Sequence, residues 1–276
     1  MIISRPVLAH ETIEAINGMV VAQHHIASEI GLDVLKRGGN AVDAAVTTAL
    51  AVGVLLPFSS GIGGGGVVIF RRSEGSSEVI DYGMQGAAAN SPYMFDLLDD
   101  HEPPSEGTHR YSRRYSSPLV RDDANIKGYK SISTPGTVAG LSLALERWGT
   151  IDLADAIAPA VDLAETGFRV GLDFTLALVN GRDYLHAIPA SRALYYPDGY
   201  PIEPGSIFVQ KDYAHTLRQI ASKGADAFYL GEIAQMICGD IEDNGGTLRI
   251  ADFAEYKPIF HNDALNGSYR GFGILA

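Results

Sequence analysis

Apolar positions are almost unbroken from Ala41 to Phe58 (AVDAAVTTALAVGVLLPF), and the chain then gives way to SSGIGGGG (Ser59 to Gly66) and to the β-type run VVIF (Val67 to Phe70). This pattern predicts a buried helix, a glycine loop and a buried strand. Upstream, MVVAQ (Met19 to Gln23) predicts a short buried strand. Ser28 is placed to cap a helix from Glu29 to Arg37, which stops at Gly38-Gly39. Asn40 then caps the helix from Ala41. Downstream, strands are expected over Gly66–Arg71 and Glu78–Tyr82, joined by the turn-like SEGSS.

Asp96 to Lys130 shows little periodicity and predicts a long irregular segment. Thr134-Pro-Gly-Thr137 opens a helix whose apolar stripe runs from Val138 to Trp148. A second, Leu153 to Glu165, contains Pro159, which predicts a kink or break near Ala158. Helices follow at Tyr213–Lys223 and Glu232–Asn244, and a short capped one at Ile250–Tyr256. The terminal NGSYRGFGILA reads as a strand just begun. An unpaired strand leaves an open edge, so a partner chain or further chain is expected to complete the sheet.

Composition narrows the classes. A net charge of −12 argues against a nucleic-acid surface. The densest basic stretch, Arg110 to Arg121, borders Asp122 and Asp123 and reads as a solvated loop. The lone Cys238 excludes an intramolecular disulfide and fits a buried small hydrophobe. The eight histidines show no ligand spacing, and adjacent His24 and His25 on regular structure would point apart. No metal and no cofactor are expected. The N-terminus lacks the layout of a secretory signal, and Ala41–Leu56 is too short and too polar to span a membrane. A cytoplasmic protein is expected.

Five glycines in the six positions Gly61–Gly66 exceed what a helix cap and turn require. A phosphate cradle does not fit, because such loops run strand, glycines, helix, and here the order is helix, glycines, strand. That order weakens a nucleotide-binding reading, which rests on the glycines alone.

From Met19 onward the chain resembles the γ-glutamyltranspeptidase (glutathione hydrolase) family. The segments that carry the resemblance are Ser28–Val54, Ser59–Gly66, STPGTVAGLSLALERWGT (Ser133–Thr150), PAVDLAETGF (Pro159–Phe168) and the stretch from Ala225 to Phe272. Each is weak alone; their order and spacing are specific. The resemblance implies an α+β fold, a four-layer αββα sandwich of the N-terminal nucleophile hydrolase type. It implies a precursor that cuts itself into two subunits, with a threonine at the new N-terminus attacking an amide carbonyl. Acyl transfer to water or to an acceptor amine follows.

In that family the nucleophile, the oxyanion donors and most contacts to the substrate amine belong to the small subunit. Residues 1–276 therefore read as one domain, the large-subunit portion, inactive alone and with no catalytic residue of its own. Its expected partners are the small catalytic subunit and a small-molecule amide; nucleic acid and membrane are not expected, and a higher oligomer is compatible with it.

One position departs from the family. An Ile-Asp-aromatic-Arg-Glu-x-Ala-Pro pattern there supplies an arginine for the α-carboxylate of the γ-glutamyl group, a role suited to a planar guanidinium. This chain keeps Ile80-Asp81-Tyr82 but continues Gly83-Met84-Gln85-Gly86-Ala87. Gly83 stands where the arginine is expected, Met84 where the glutamate is, and Ala87 where the proline is. Three explanations compete: an arginine from the long loop (Arg110, Arg113 or Arg114) folds over the site; the enzyme acts on an amide without that carboxylate; or the protein is a non-catalytic scaffold. The second is favoured, with Gln85 offering a neutral hydrogen bond in place of an ion pair. Met84 reads equally as core filling or as a pocket residue.

Overall fold

The structure is a computed structural model that describes residues 13–98 and 120–276. Helix α1 (His25–Lys36) starts three residues before the expected Ser28 cap. His24 caps it instead, its Nδ1 accepting from the Ile26 N–H at 3.2 Å, while Ser28 Oγ accepts from the Ala22 N–H at 3.0 Å. Helix α2 (Ala41–Leu55) follows, capped by Asn40 as its sequence predicts. Met19–Gln23 is not a strand: no described segment pairs with it. Its side chains still alternate, with Val20 against Gly31 and Val21 83% exposed. Alternation marks an extended chain, whereas a strand also needs a neighbour.

The rings of His24 and His25 stack, centroids 4.7 Å apart at 21°. They do not point apart because His24 lies outside the helix, with extended backbone, and His25 inside it. Burial and then His25 lower the His24 pKa, outweighing Asp173 and Glu29, which raise it. A capping Nδ1 must be unprotonated. Neutral His24 therefore contributes stability that is present above its ordinary value of 6.5 and is lost as pH falls through the depressed one. The expected contribution is about 1 kcal/mol. A His24→Asn variant, which keeps a capping acceptor, should flatten this acid limb; an NMR titration placing His24 at or above 6.5 would remove its basis.

Strands β1 (Val67–Arg71) and β2 (Ser77–Asp81) form the predicted hairpin, and the sheet order is β1-β2-β5, with β5 at Ile259–His261. All pairs are antiparallel. Val68, Ile80 and Phe260 share one face by register, and Ile80 is fully buried. On that face Phe70 stacks on Trp148 of α3 (Thr137–Trp148), centroids 4.8 Å apart. Trp148 Nε1 donates to Glu78 Oε2 at 3.1 Å. The opposite face leaves Val67, Ile69 and Ile259 exposed.

The helical layer is built on α2, which packs against α1 and against α4 (Leu153–Thr166); α4 in turn packs on α8 (Lys211–Lys223). The chain stays helical through Pro159, so of the expected kink or break the break does not occur. Burial of Ala156, Ile157, Ala160 and Ala164 on this helix outweighs the lost hydrogen bond. Fully buried Asp43 locks α2 to the α3–α4 turn. It accepts from the N–H groups of Asn40 (2.8 Å), Thr150 (2.7 Å) and Ile151 (3.3 Å), and from Thr150 Oγ1 (2.5 Å).

Between Phe168 and Phe208 lie elements that no sequence signal predicts: β3 (Phe168–Arg169), α5 (Leu172–Asn180), α6 (Arg182–Leu185), α7 (Pro189–Tyr195) and β4 (Ile207–Phe208). The predicted helices beyond are α8, α10 (Glu232–Asp243) and α11 (Ile250–Glu255), with α9 (Asp226–Tyr229) as the link. Cys238 is buried in α10 as expected. The C-terminal segment is not a lone strand. β6 (Asn266–Tyr269) pairs with β7 (Phe272–Leu275) across Arg270-Gly271, both with positive φ (50° and 84°), the geometry of a tight hairpin turn. The sequence gives no Asn-Gly signal for that turn.

Candidate functional site

The glycine run, the end of β2 and the start of α3 meet at one place. The β1–β2 ladder continues past both strands, Tyr82 N–H donating to Gly66 O at 2.9 Å and Gly66 N–H to Tyr82 O at 3.3 Å. Gln85 and Thr134 then exchange both backbone bonds, at 3.2 and 2.7 Å. The Gly64 carbonyl accepts from the N–H groups of Gly136 (2.8 Å) and Thr137 (3.1 Å). The glycine run thus satisfies orphan amides at the N-terminus of α3, where an anion cradle would need them free.

Two glycines of the run, Gly65 and Gly66, and several that face it are steric requirements. A Cβ at Gly65 would lie 2.7 Å from Tyr82 O and 2.8 Å from Met84 N; one at Gly66 would meet the Tyr82 ring. Added at Gly136 it would collide with Tyr82 O and the Tyr256 hydroxyl, and at Gly140 with the Tyr82 side chain. Gly53 of α2 fits against Gly61 in the same way. Gly63 and Gly64 differ: among the described residues a Cβ would meet nothing within 4 Å at Gly63 and nothing closer than 3.5 Å at Gly64.

Gly83 also differs. Its Cβ would meet only Asp81 Oδ1, at 3.2 Å, among the described residues, and its φ is not positive. The backbone conformation does not require glycine there, and a side chain would need only the Asp81 carboxylate to give way slightly. Asp81 Oδ1 accepts from the Gly83 N–H at 2.9 Å, and the Tyr256 hydroxyl donates to Gly83 O at 2.9 Å. Met84 is 57% exposed in this chain, so it fills no core among the described residues. Gln85 is exposed beside it, its backbone held by Thr134. Gly83, Met84 and Gln85 are therefore brought together on one edge. Arg110, Arg113 and Arg114 lie outside the described residues.

Two tyrosines that sequence reasoning passed over support this edge. Tyr229 donates to Pro135 O at 2.9 Å and accepts from the Ala139 N–H at 3.1 Å. Its ring stacks on Tyr256, centroids 5.6 Å apart at 7°. Burial, then Asp81 and Tyr82, push the Tyr256 hydroxyl up to about 12, and burial raises Tyr229 as well. Both are protonated donors at neutral pH. The Tyr256–Gly83 contact spans 173 residues of sequence, and a tyrosine at the end of a short helix carries no periodic signal of it.

On its other side the glycine run borders a cleft of ≈ 600 Å³ lined by Phe58, Ile62, Tyr195, Gln210 and Tyr213. Burial raises the Tyr213 hydroxyl to about 12 against the lowering effect of the Ile62 N–H. Among the described residues no group of three or more His, Cys, Asp or Glu is placed to hold a metal ion. No helix among them is long and apolar enough to cross a membrane.

A family model described as gamma-glutamyltranspeptidase matches residues 27–276. The acylase ACY 1 proenzyme of Pseudomonas sp. (strain SE83) is 36% identical over 94% of this chain and 44% of its own length. The glutathione hydrolase proenzyme of Bacillus subtilis (strain 168) is 35% identical over 94% of this chain and 41% of its own length. The chain thus spans less than half the length of these relatives. The crystal structure of Helicobacter pylori gamma-glutamyltranspeptidase superposes with a TM-score of 0.84 at 32% identity, covering 96% of this chain and 71% of that one. The α+β fold is that of the N-terminal nucleophile hydrolases, and the chain belongs to the gamma-glutamyltranspeptidase family.

Proposed function

We propose that residues 1–276 are the large-subunit domain of an N-terminal-threonine amidohydrolase or acyltransferase whose acyl group is not a standard γ-glutamyl. The observation that carries this reading is Gly83. A Cβ there meets only Asp81 Oδ1 among the described residues and the backbone does not ask for glycine, which supports a role for the missing arginine in substrate recognition over one in folding. The exposed Met84 and Gln85 beside it offer apolar surface and neutral hydrogen bonding, a poor match for a carboxylate and a good one for an uncharged acyl chain. That a relative is named an acylase accords with this.

The small subunit supplies the nucleophile: its N-terminal amine takes the hydroxyl proton, the oxygen attacks the amide carbonyl, and an acyl-enzyme forms with release of the amine. Water or an acceptor amine then takes the acyl group. The large subunit's part is to bind and orient the acyl chain along Tyr82–Gln85. The exposed sheet face bearing Val67, Ile69 and Ile259 supports a second sheet, from the small subunit, packed over it. Residues 1–276 alone are then inactive.

The test compares kcat/KM of the complete processed enzyme on γ-glutamyl-p-nitroanilide and on simple acyl p-nitroanilides. The acyl substrates should be preferred, and Gly83→Arg should raise γ-glutamyl turnover by about 10- to 100-fold, the worth of a charge-assisted pair. Far better turnover of the γ-glutamyl substrate by the unaltered enzyme would overturn the reading in favour of an arginine such as Arg113 or Arg114. A Gly83→Arg variant with unchanged preference would sink it too.

A further inference from the structure

We infer that Tyr256 is a positioning residue for acyl-donor binding, its hydroxyl holding the Gly83 peptide in one orientation. The inference rests on the reading above that Tyr82–Gln85 forms the acyl-binding edge.

Gly83 lies between two fixed points, the end of the β1–β2 ladder at Tyr82 and the backbone bridge at Gln85. The segment between them is exposed and includes a glycine, so its peptide planes have little else to set them. Two contacts do so. Asp81 Oδ1 takes the Gly83 N–H, and Tyr256 Oη gives its proton to Gly83 O. The second is the less local of the two and the more rigid. Tyr256 is buried and its ring lies flat on Tyr229, whose own hydroxyl is fixed between Pro135 O and the Ala139 N–H.

The path of that hydroxyl is also built. Gly136 sits where any side chain would overlap both Tyr256 Oη and Tyr82 O, so its lack of a Cβ lets the donor reach the β2 end. A donor carried on a packed ring holds a carbonyl far more tightly than solvent does. With the Gly83 peptide fixed, the exposed Met84 side chain is presented from a defined backbone. The elevated pKa of Tyr256 keeps the proton in place across the working range of pH.

Tyr256→Phe removes the hydroxyl and keeps the ring stack. In the complete processed enzyme, KM for the preferred acyl p-nitroanilide should rise about 3- to 10-fold with kcat little changed, the range for one lost neutral hydrogen bond. Hydrogen exchange at the amides of residues 83–85 should quicken by a similar factor, with the thermal midpoint close to that of the unaltered enzyme. Incorporation of 4-aminophenylalanine at 256, which restores a donor, should recover both. Unchanged exchange and KM would overturn the inference, as would a rise in KM that appears only with a general loss of stability. Exchange is read without turnover, so an enzyme inactive on every amide would defeat the proposed function while leaving this test decisive.

Discussion

Gly136→Ala should destabilise the protein by about 3 kcal/mol or more and disorder the Tyr82–Gln85 edge with it. Overpacking in a closed core typically costs about 1–3 kcal/mol, and here the added methyl meets backbone as well as side chain. It would overlap Tyr82 O and the Tyr256 hydroxyl, neither the far end of a flexible chain. Relief requires α3 to move from β2, which breaks the two bonds from Gly136 and Thr137 to Gly64 O. The backbone of Gly136 is itself ordinary, at φ −107°, so the effect is steric. Gly63→Ala is the paired variant. It adds the same methyl to the same joint in open space and should change stability by less than about 0.5 kcal/mol. Urea midpoints at constant slope measure both. Equal effects would mean that the glycine run is not the packing joint described.

The second large effect is expected at Asp43. Asp43→Ala should cost about 3–5 kcal/mol, because it strands the N–H groups of Asn40, Thr150 and Ile151 together with the Thr150 hydroxyl. The carboxylate also sets a pH dependence. Burial acts to raise its pKa but is outweighed by the hydrogen bonds from Thr150, Asn40 and Ile151, and the net direction is below the ordinary 3.8. A depressed carboxyl contributes stability that is complete above its unfolded value and disappears as pH falls through the folded one. Acid unfolding of the wild type should therefore include a component below pH 3.8 that Asp43→Asn lacks. Parallel acid limbs for the two proteins would refute this account of the lock.

How much of this was legible in the sequence depended on how local its causes are. Helices α2, α3, α8 and α10 and the β1–β2 hairpin follow from periodicity and caps within their own residues. Met19–Gln23 has the composition of a strand, but a strand is a relation between two segments, and its partner is not written in it. Pro159 signals a kink or break, and tertiary burial keeps the helix unbroken through it. The short helices α5, α6 and α7, of 9, 4 and 7 residues, are too brief for an apolar period to stand out; α3, α8 and α10 lack a side-chain cap as well but run 12 or 13 residues. At the site, Gly83 is legible only against the family's pattern, and that glycine is free there is visible only in three dimensions. Tyr256 is legible in neither way, since its role is a contact with a carbonyl far along the chain.

The sheet–helix joint at Trp148 has an experimental use. The sequence contains one tryptophan, and it is buried on Phe70, with its indole N–H on Glu78 and its carbonyl taken by Asn40 Nδ2 at 2.6 Å. Selectively excited tryptophan fluorescence of residues 1–276 therefore reports a single locus, where β1, α2 and α3 close on one another. It gives the stability experiments on Asp43 a label-free probe within the very joint they perturb, and one blind to loosening confined to residues 168–208.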